Sequence, residues 1–213
     1  MLVKSEFKTS LITAIIEEIE KAFGKNAQKS DDYGRIIHEK HFKKLEADLK
    51  NQKIIYGGSI DKKELYFGPT VIDSPPMNSS LIQDEIFGPI LPILTYSSDD
   101  ELSKILNQYK NPLAFYVFSN NISYAKKLIK NHSFGGGAIN DTIGQIINKN
   151  LPFGGVGTSG IGKYHGYESF KTFSHFKPYI IKSILFDIPF KYKLSESSFI
   201  FRFIKKILKY ISV

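Results

Sequence analysis

The sequence predicts an α/β fold built on a parallel sheet of β–α–β units. From Ile90 onward, apolar runs alternate with amphipathic segments, and the run at 113–118 is apolar throughout. A strand that is buried on both faces reads as an unbroken apolar run, and strands that alternate with helices form right-handed parallel units. We therefore expect a parallel sheet with helices packed on its faces.

The elements before residue 90 are predicted from periodicity and from turn residues. Apolar residues recur every three to four positions after the N-terminus and predict a helix that Ser5 caps and Gly24 ends. A second helix is predicted around Phe42. Short strands are predicted at 53–56 and 65–72.

Strands and helices then alternate up to residue 140. Ser98 and Glu101 have the spacing of a capping box at the start of a helix. Because parallel sheets bind ligands at the carboxyl ends of their strands, Asn140 is a candidate site residue. The predicted elements are a strand at 90–96, a helix from 98, a strand at 113–118, a helix from 122 and a strand at 137–140.

The composition excludes several classes of function. The chain has 213 residues and no Cys, so disulfides, thiolate metal sites and a thiol nucleophile are excluded on this polypeptide. Of the net charge of +8, residues 190–213 carry +5, and the basic residues are almost all Lys. Readers of bases and phosphates favour Arg, so we expect no nucleic-acid binding. The five His residues lack a metal-site spacing with carboxylates, and we assign no metal.

The two ends of the chain suggest a location. No apolar stretch follows a basic start at the N-terminus, and no apolar run reaches the roughly 18 residues that span a bilayer. We expect a cytoplasmic protein. Near the C-terminus, apolar residues fall on one helical face and basic residues mostly on another. This helix either docks on its own subunit or on the dimer mate, or contacts a membrane surface peripherally.

A glycine-rich segment follows the third predicted strand. Residues 155–160 match the dinucleotide fingerprint G-x-G-x-x-G. That fingerprint requires a buried strand before it and a helix after it, and neither is predicted here. We interpret the segment as a loop whose backbone passes close to another surface.

The segment 84–89 allows two interpretations. Glu85 lies two residues before Phe87, and Gly-Pro follows. The carboxylate can accept hydrogen bonds from a ribose while the ring contacts a flat heterocycle. The alternative is a simple turn before the strand at 90–96.

Together these motifs resemble the C-terminal part of an aldehyde dehydrogenase, most closely the class 3 branch. The resemblance covers essentially the whole chain, in family order and spacing. The motifs that carry it are FGPTV at 67–71, EIFGPILP at 85–92, PLAFYVFS at 112–119, GGGAIND at 135–141, LPFGGVG at 151–157, KYHG at 163–166 and FSH at 173–175.

The resemblance implies an NAD- or NADP-dependent oxidation of an aldehyde to a carboxylic acid. It assigns Glu85 to the ribose hydroxyls on the nicotinamide side and Phe87 to positioning the nicotinamide. Asn140 and Phe153 are expected near the substrate pocket. The family's nucleophilic Cys, its general-base Glu and its Rossmann-type domain correspond to positions before Met1. We therefore expect no catalytic residue in this chain, and no activity of the chain alone.

The resemblance also divides the chain and suggests partners. Residues 1–166 correspond to the later part of the catalytic domain, 167–186 to an oligomerisation strand region and 187–213 to a basic amphipathic tail. We expect a homo- or hetero-oligomer that takes an aldehyde substrate only when an N-terminal half complements it. The alternative is a non-catalytic dimerisation module that pairs with an intact homologue.

Overall fold

The computed structural model describes residues 1–185 and 199–211. Its strands are β1 (Leu2–Lys4), β2 (Ile54–Tyr56), β3 (Ile60–Asp61), β4 (Tyr66–Phe67), β5 (Thr70–Asp73), β6 (Ile90–Tyr96), β7 (Ala114–Val117) and β8 (Gly136–Ile139). Its helices are α1 (Lys8–Phe23), α2 (Glu39–Asp48), α3 (Ser80–Gln83), α4 (Asp99–Gln108), α5 (Ile122–Asn131), α6 (Gly144–Ile147), α7 (Gly166–Thr172) and α8 (Phe199–Ile211). The predicted α/β class is confirmed.

The main sheet has four strands in the order β1-β6-β5-β2. β6 runs parallel to both of its neighbours, with Leu94 opposite Leu2 and Leu91 opposite Val71. β2 pairs antiparallel with β5, so the sheet is mixed at this edge. Val71 and Ile93 are fully buried at its centre, and one face of α1 packs on them.

β3 and β4 form a two-stranded antiparallel sheet. A further sheet consists of β7 and β8, which pair in parallel with Phe115 opposite Gly137. The helix α5 connects the two strands, so the predicted β–α–β unit is present here. The expectation that the strand at 90–96 joins the same sheet is wrong. Both edges of β6 are already hydrogen-bonded, one to β1 and one to β5, so no edge remains for β7.

Of the two predicted ends of the first helix, only the C-terminal one is confirmed. Gly24 follows α1 with φ of 74°, and its amide donates to the Glu20 carbonyl at 2.8 Å. Left-handed backbone of this kind favours glycine. Ser5 does not cap the helix. It lies in a 3₁₀ turn, Ser5–Phe7, and its hydroxyl donates to the Tyr96 carbonyl at 3.1 Å.

The helix α4 begins with the predicted cap in a shifted form. The Ser98 hydroxyl accepts a hydrogen bond from the Glu101 amide at 3.2 Å. The Glu101 carboxylate reaches back to the amide of Ser97, one residue before the expected partner, at 2.7 Å. Two otherwise unpaired amides at this helix start are therefore satisfied.

The main core lies between α2 and the four-stranded sheet. Phe42 and Phe67 contact each other edge to face, with ring centroids 5.8 Å apart. Leu45 is fully buried beside them. The buried members of this cluster are Phe42, Leu45, Phe67, Ile72, Leu81 and Ile90. This core fixes α2 against the start of β6, the region that carries Glu85 and Phe87.

The glycine-rich loop has the close backbone contacts that the sequence predicts. A Cβ atom on Gly154 would lie 2.2 Å from the Gly162 carbonyl oxygen, and one on Gly155 would lie 2.2 Å from that of Ser159. A single 3₁₀ turn at Gly157–Ser159 follows, in place of a long helix. The loop thus packs backbone against backbone and lacks the helix of a phosphate-binding loop.

The C-terminal region contains the predicted helix, but its described residues form no strand within this single chain. No strand is assigned within 173–183, where the sequence is β-prone, and its apolar side chains are exposed, with Ile180 at 94% and Ile181 at 86%. The amphipathic helix of the tail is present as α8. The remainder of the predicted tail, 187–198 and 212–213, lies outside the described residues. Within the described ranges, no helix combines the length and apolar character that crossing a bilayer requires.

Candidate functional site

The segment 84–89 forms the turn between α3 and β6. Ile86 packs against the main core, whereas Glu85 is exposed and Phe87 is 76% exposed. Phe87 has φ of 48°, in the left-handed region that bulky residues rarely occupy. Strained backbone of this kind persists only where its surroundings hold it and is concentrated at ligand-binding sites. The turn therefore presents a carboxylate and an aromatic ring to solvent on a fixed backbone.

The helix α2 holds this turn at two points. The His41 Nε2 atom donates a hydrogen bond to the Phe87 carbonyl oxygen at 2.7 Å. One turn further along α2, Leu45 lies so close to Gly88 that a Cβ there would be 2.6 Å from the Leu45 Cδ1 atom. Any larger residue at Gly88 would therefore require the Leu45 side chain to move. This contact of His41 was not identified from the sequence, where the histidines were considered only as metal ligands.

Asn140 ties together the carboxyl ends of β7 and β8. Its Oδ1 atom accepts from the Ser119 amide at 2.8 Å, and its Nδ2 atom donates to the Ser119 carbonyl at 3.0 Å. Its φ of 57° is one that Asn tolerates better than most residues. The side chain lies at the predicted strand end and remains exposed there.

A tyrosine of β7 was not identified from the sequence. The Tyr116 hydroxyl accepts hydrogen bonds from the Gln145 amide group at 2.8 Å and from the Ile143 backbone at 3.2 Å. These contacts fix the loop after β8, in which Ile143 has a positive φ of 66°. Sequence separations of 27 and 29 residues left no local signal for them.

Phe153 belongs to an aromatic cluster with the segment that follows the glycine loop. It forms an antiparallel bridge with Tyr164, with both backbone hydrogen bonds at 2.8 Å. Its ring lies edge to face with that of Tyr164, 5.5 Å away, and is tilted against that of His165 at 5.8 Å. The loop 154–162 is closed by this bridge.

The four predicted site residues form two separate groups. Glu85 and Phe87 stand at the start of β6 in the four-stranded sheet. Asn140 follows β8 in the two-stranded sheet, and Phe153 lies in the loop region after it. In the part of the chain that the structure describes, no hydrogen bond or ring contact joins the two groups.

A buried carboxylate with two lysine partners lies away from both groups, at the end of β5. The buried Asp73 carboxylate accepts hydrogen bonds from Lys53 at 2.7 Å and from Ser74 at 2.7 Å, and it also pairs with Lys8. Hydrogen bonds from Lys53, then from Lys8, lower the pKa of Asp73 far below its usual range. These contacts join α1, β2 and β5, which is a structural role.

Comparison with known proteins identifies the chain. Residues 1–178 match the aldehyde dehydrogenase family. The chain belongs to this family. The match covers both groups of site residues, from the 84–89 turn to the aromatic cluster of Phe153. It confirms the resemblance that the motifs indicated.

The most similar relatives place the chain in the class 3 branch. It is 47% identical over 185 residues to 4,4'-diaponeurosporen-aldehyde dehydrogenase of Staphylococcus aureus, covering 86% of this chain and 40% of that protein. It is 42% identical over 184 residues to mouse aldehyde dehydrogenase family 3 member A2, covering 86% and 38% respectively. The chain thus spans about 40% of the length of these relatives.

Solved structures share the fold. The substrate-bound state of Staphylococcus aureus AldH matches 97% of this chain and 45% of its own length, with a TM-score of 0.81 and 42% identity. A betaine aldehyde dehydrogenase of the same organism in complex with NAD⁺ matches 81% of this chain and 36% of its own length, with a TM-score of 0.68 and 26% identity. The family cofactor is therefore NAD(P).

Proposed function

We propose that these 213 residues form the cofactor-orienting and pocket-lining part of an NAD(P)-dependent aldehyde dehydrogenase that converts an aldehyde to a carboxylic acid. The observation that carries the proposal is the fixed turn that exposes the Glu85 carboxylate and the Phe87 ring two residues apart. When bound, such a cofactor supplies the hydride acceptor for aldehyde oxidation.

The residues of this turn fit the nicotinamide end of a dinucleotide. A carboxylate has acceptor sites enough for both hydroxyls of a ribose. An exposed aromatic ring offers a flat, apolar surface to a heterocycle. Because Ile86 is anchored in the core between them, both side chains are held on a backbone that does not have to reorganise on binding.

The chemistry of the family requires a group that these residues do not include. Aldehyde oxidation proceeds through a covalent intermediate on a Cys thiolate, which a general base and water then release. The 213 residues contain no Cys. We propose that the thiolate and the base come from a segment outside these residues, and that the 213-residue chain by itself does not oxidise aldehydes.

A hybrid enzyme tests this function. The part of the Staphylococcus aureus relative that this chain does not cover is joined to residues 1–213, and NAD(P)⁺ reduction is measured with aldehydes at 340 nm. We expect activity from the hybrid and none from residues 1–213 alone. Glu85→Gln should slow turnover of the hybrid about ten-fold through loss of hydrogen bonds to a charged acceptor.

The neighbouring Asp84→Asn variant is the matched control, since Asp84 is an exposed carboxylate of the same turn. Hybrid kinetics that Glu85→Gln leaves unchanged would show that Glu85 is only a turn residue. Aldehyde-dependent NAD(P)⁺ reduction by residues 1–213 alone, surviving stringent purification, would contradict the division of labour proposed here.

A second candidate function is a dimerisation module that pairs with an intact homologue. The exposed apolar side chains of 173–185 support it, because exposed apolar area of this extent marks interaction surfaces.

We also propose a cytoplasmic location, with peripheral membrane contact through α8. Phe199, Phe203 and Ile207 of that helix are exposed, and the helix contains four basic and no acidic residues.

A further inference from the structure

The left-handed backbone of Phe87 requires a physical explanation. A phenylalanine at φ of 48° is strained, and its ring, 76% exposed, gains little from burial in return. The strain must therefore be offset by contacts of the neighbouring backbone. Those contacts identify what holds the ring in place.

Three contacts surround the strained residue. Ile86 packs into the main core on one side. Gly88 lies against the fully buried Leu45 on the other side. Between them, the Phe87 carbonyl oxygen accepts the hydrogen bond from His41 at 2.7 Å. His41 and Leu45 are four residues apart on α2, so they project from the same face of that helix.

The chemistry of the bond fixes which ring nitrogen is protonated. A backbone carbonyl oxygen only accepts hydrogen bonds, so the Nε2 atom of His41 carries the proton. Both the neutral Nε2–H form and the imidazolium can make this bond. It also satisfies a carbonyl that the turn geometry leaves without a partner among its neighbours in sequence.

We infer that His41 is a positioning residue: by binding the Phe87 carbonyl, it holds the left-handed backbone that presents the Phe87 ring to the nicotinamide. The inference rests on the proposed function for the purpose of the ring, but the contact itself is independent of it. His41 touches neither substrate nor reacting atoms and acts through Phe87.

Nuclear magnetic resonance on the full chain tests the contact without cofactor. Labelling with ¹³C-carbonyl Phe and ¹⁵N-Gly yields one cross-peak for each of the five Phe–Gly pairs, at 23–24, 67–68, 87–88, 134–135 and 153–154. Loss of one peak in Phe87→Leu identifies the pair of interest. We expect His41→Ala to shift and broaden that peak and to leave the peaks of the other four pairs in place.

Two further variants separate positioning from other effects. His41→Gln keeps a hydrogen-bond donor at similar reach but removes the imidazole ring. If the hydrogen bond positions Phe87, the 87–88 peak of this variant should return to its wild-type position. If the shift in His41→Ala comes only from the loss of the ring, the peak should stay shifted in His41→Gln as well. His38→Ala removes an exposed histidine at the start of the same helix, where its side chain makes no capping bond, and should change nothing. A peak that is insensitive to His41→Ala would overturn the inference.

The hybrid enzyme supplies the functional readout. His41→Ala should raise KM for NAD(P)⁺ about five-fold, the equilibrium change that one hydrogen bond gives, and leave KM for the aldehyde unchanged. His41→Gln should recover most of this loss. An unchanged KM for NAD(P)⁺ would overturn the positioning role. A hybrid without activity, combined with the expected spectra, would count against the proposed function while the spectra support the contact.

Discussion

Asn140 and Ser119 exchange two hydrogen bonds across the carboxyl ends of the β7–β8 sheet. The Ser119 amide donates to the Asn140 side chain at 2.8 Å, and the side-chain amide returns a bond to the Ser119 carbonyl at 3.0 Å. The Asn140 backbone amide also donates to the Val117 carbonyl at 2.9 Å. The side chain thereby continues the ladder of β7 and β8 beyond the last pair of strand residues.

We expect Asn140→Ala to lower the free energy of unfolding by about 2 kcal/mol, from two partly exposed hydrogen bonds and the cost of a left-handed alanine. Asn140→Gly loses the same bonds without the backbone cost and should lower it by about 1 kcal/mol. Urea denaturation followed by circular dichroism measures both. Equal effects would show that the backbone conformation contributes nothing.

The buried Asp73 cluster predicts loss of stability in acid. The folded-state pKa of Asp73 is lowered, so its contribution is complete above the unfolded pKa of about 4 and is lost as the pH falls below that value. Asp73→Asn should cost about 2 kcal/mol at pH 7, as expected for hydrogen bonds between charged groups. It should also flatten the pH dependence below pH 4.

Thermal melts of both proteins between pH 2 and 7 test this. Asp31→Asn is a suitable control, because Asp31 is an exposed carboxylate, whereas Lys8 and Lys53 pair with Asp73. Parallel acid profiles for wild type and Asp73→Asn would contradict the assignment.

Two adjacent glycines of β8, Gly136 and Gly137, differ in the space they leave for a side chain. A Cβ on Gly137 would lie 2.1 Å from the Phe115 carbonyl oxygen in the paired strand, whereas one on Gly136 meets nothing closer than the Gln145 side chain at 3.5 Å. Gly137→Ala should therefore destabilise the chain by about 3 kcal/mol, and Gly136→Ala by less than about 0.5 kcal/mol. Chemical denaturation of the two variants under identical conditions is decisive, and similar midpoints would refute the close approach.

The segment 173–185 predicts self-association. Its exposed apolar side chains offer a surface for pairing that the single chain leaves uncovered. We expect dimers or larger species at micromolar concentration in multi-angle light scattering. The double variant Ile180→Glu, Ile181→Glu should shift the population toward monomer. The control Ile37→Glu changes an isoleucine outside this segment that is 83% exposed, and it should leave the population unchanged. A monomeric wild-type chain would contradict the prediction.

The helix α8 predicts salt-dependent binding to anionic vesicles. Charge reversal of Lys205 and Lys206 to Glu should weaken co-sedimentation with phosphatidylserine vesicles more than ten-fold, because each basic residue near such a surface contributes about 1 kcal/mol. The same reversal of Lys126 and Lys127, an exposed pair on α5, is the control. Equal sedimentation of all three proteins would favour docking of the helix on a subunit.

The sequence predicted element types well because these depend on local periodicity. The helices α1, α2, α4 and α5 and the strands β6, β7 and β8 all follow from spacing within a few residues. The separation of β7 and β8 from the four-stranded sheet could not be predicted in this way. It depends on β1 occupying an edge of β6, and that pairing joins residues about 90 positions apart.

Motifs predicted the candidate site residues, but they did not predict the residues that hold them in position. Glu85 and Phe87 were found because carboxylate, ring and Gly-Pro are neighbours in sequence. His41 lies 46 residues from the carbonyl it binds, and a lone histidine on a charged helix carries no signal of such a contact. The run at 173–183 shows the converse limit, since a β-prone sequence forms a strand only where a partner edge is available.

The loop between Phe153 and Tyr164 has a consequence for how this region can change over evolutionary time. Its two halves approach each other through main-chain atoms at Gly154 and Gly155, and the Ser159 hydroxyl adds hydrogen bonds to the Val156 backbone. The path of the loop therefore depends on its glycines and on Ser159, and little on the exposed side chains of Thr158 and Ile161. Substitutions at these exposed positions can change the surface chemistry beside the aromatic cluster without changing the backbone path of the loop.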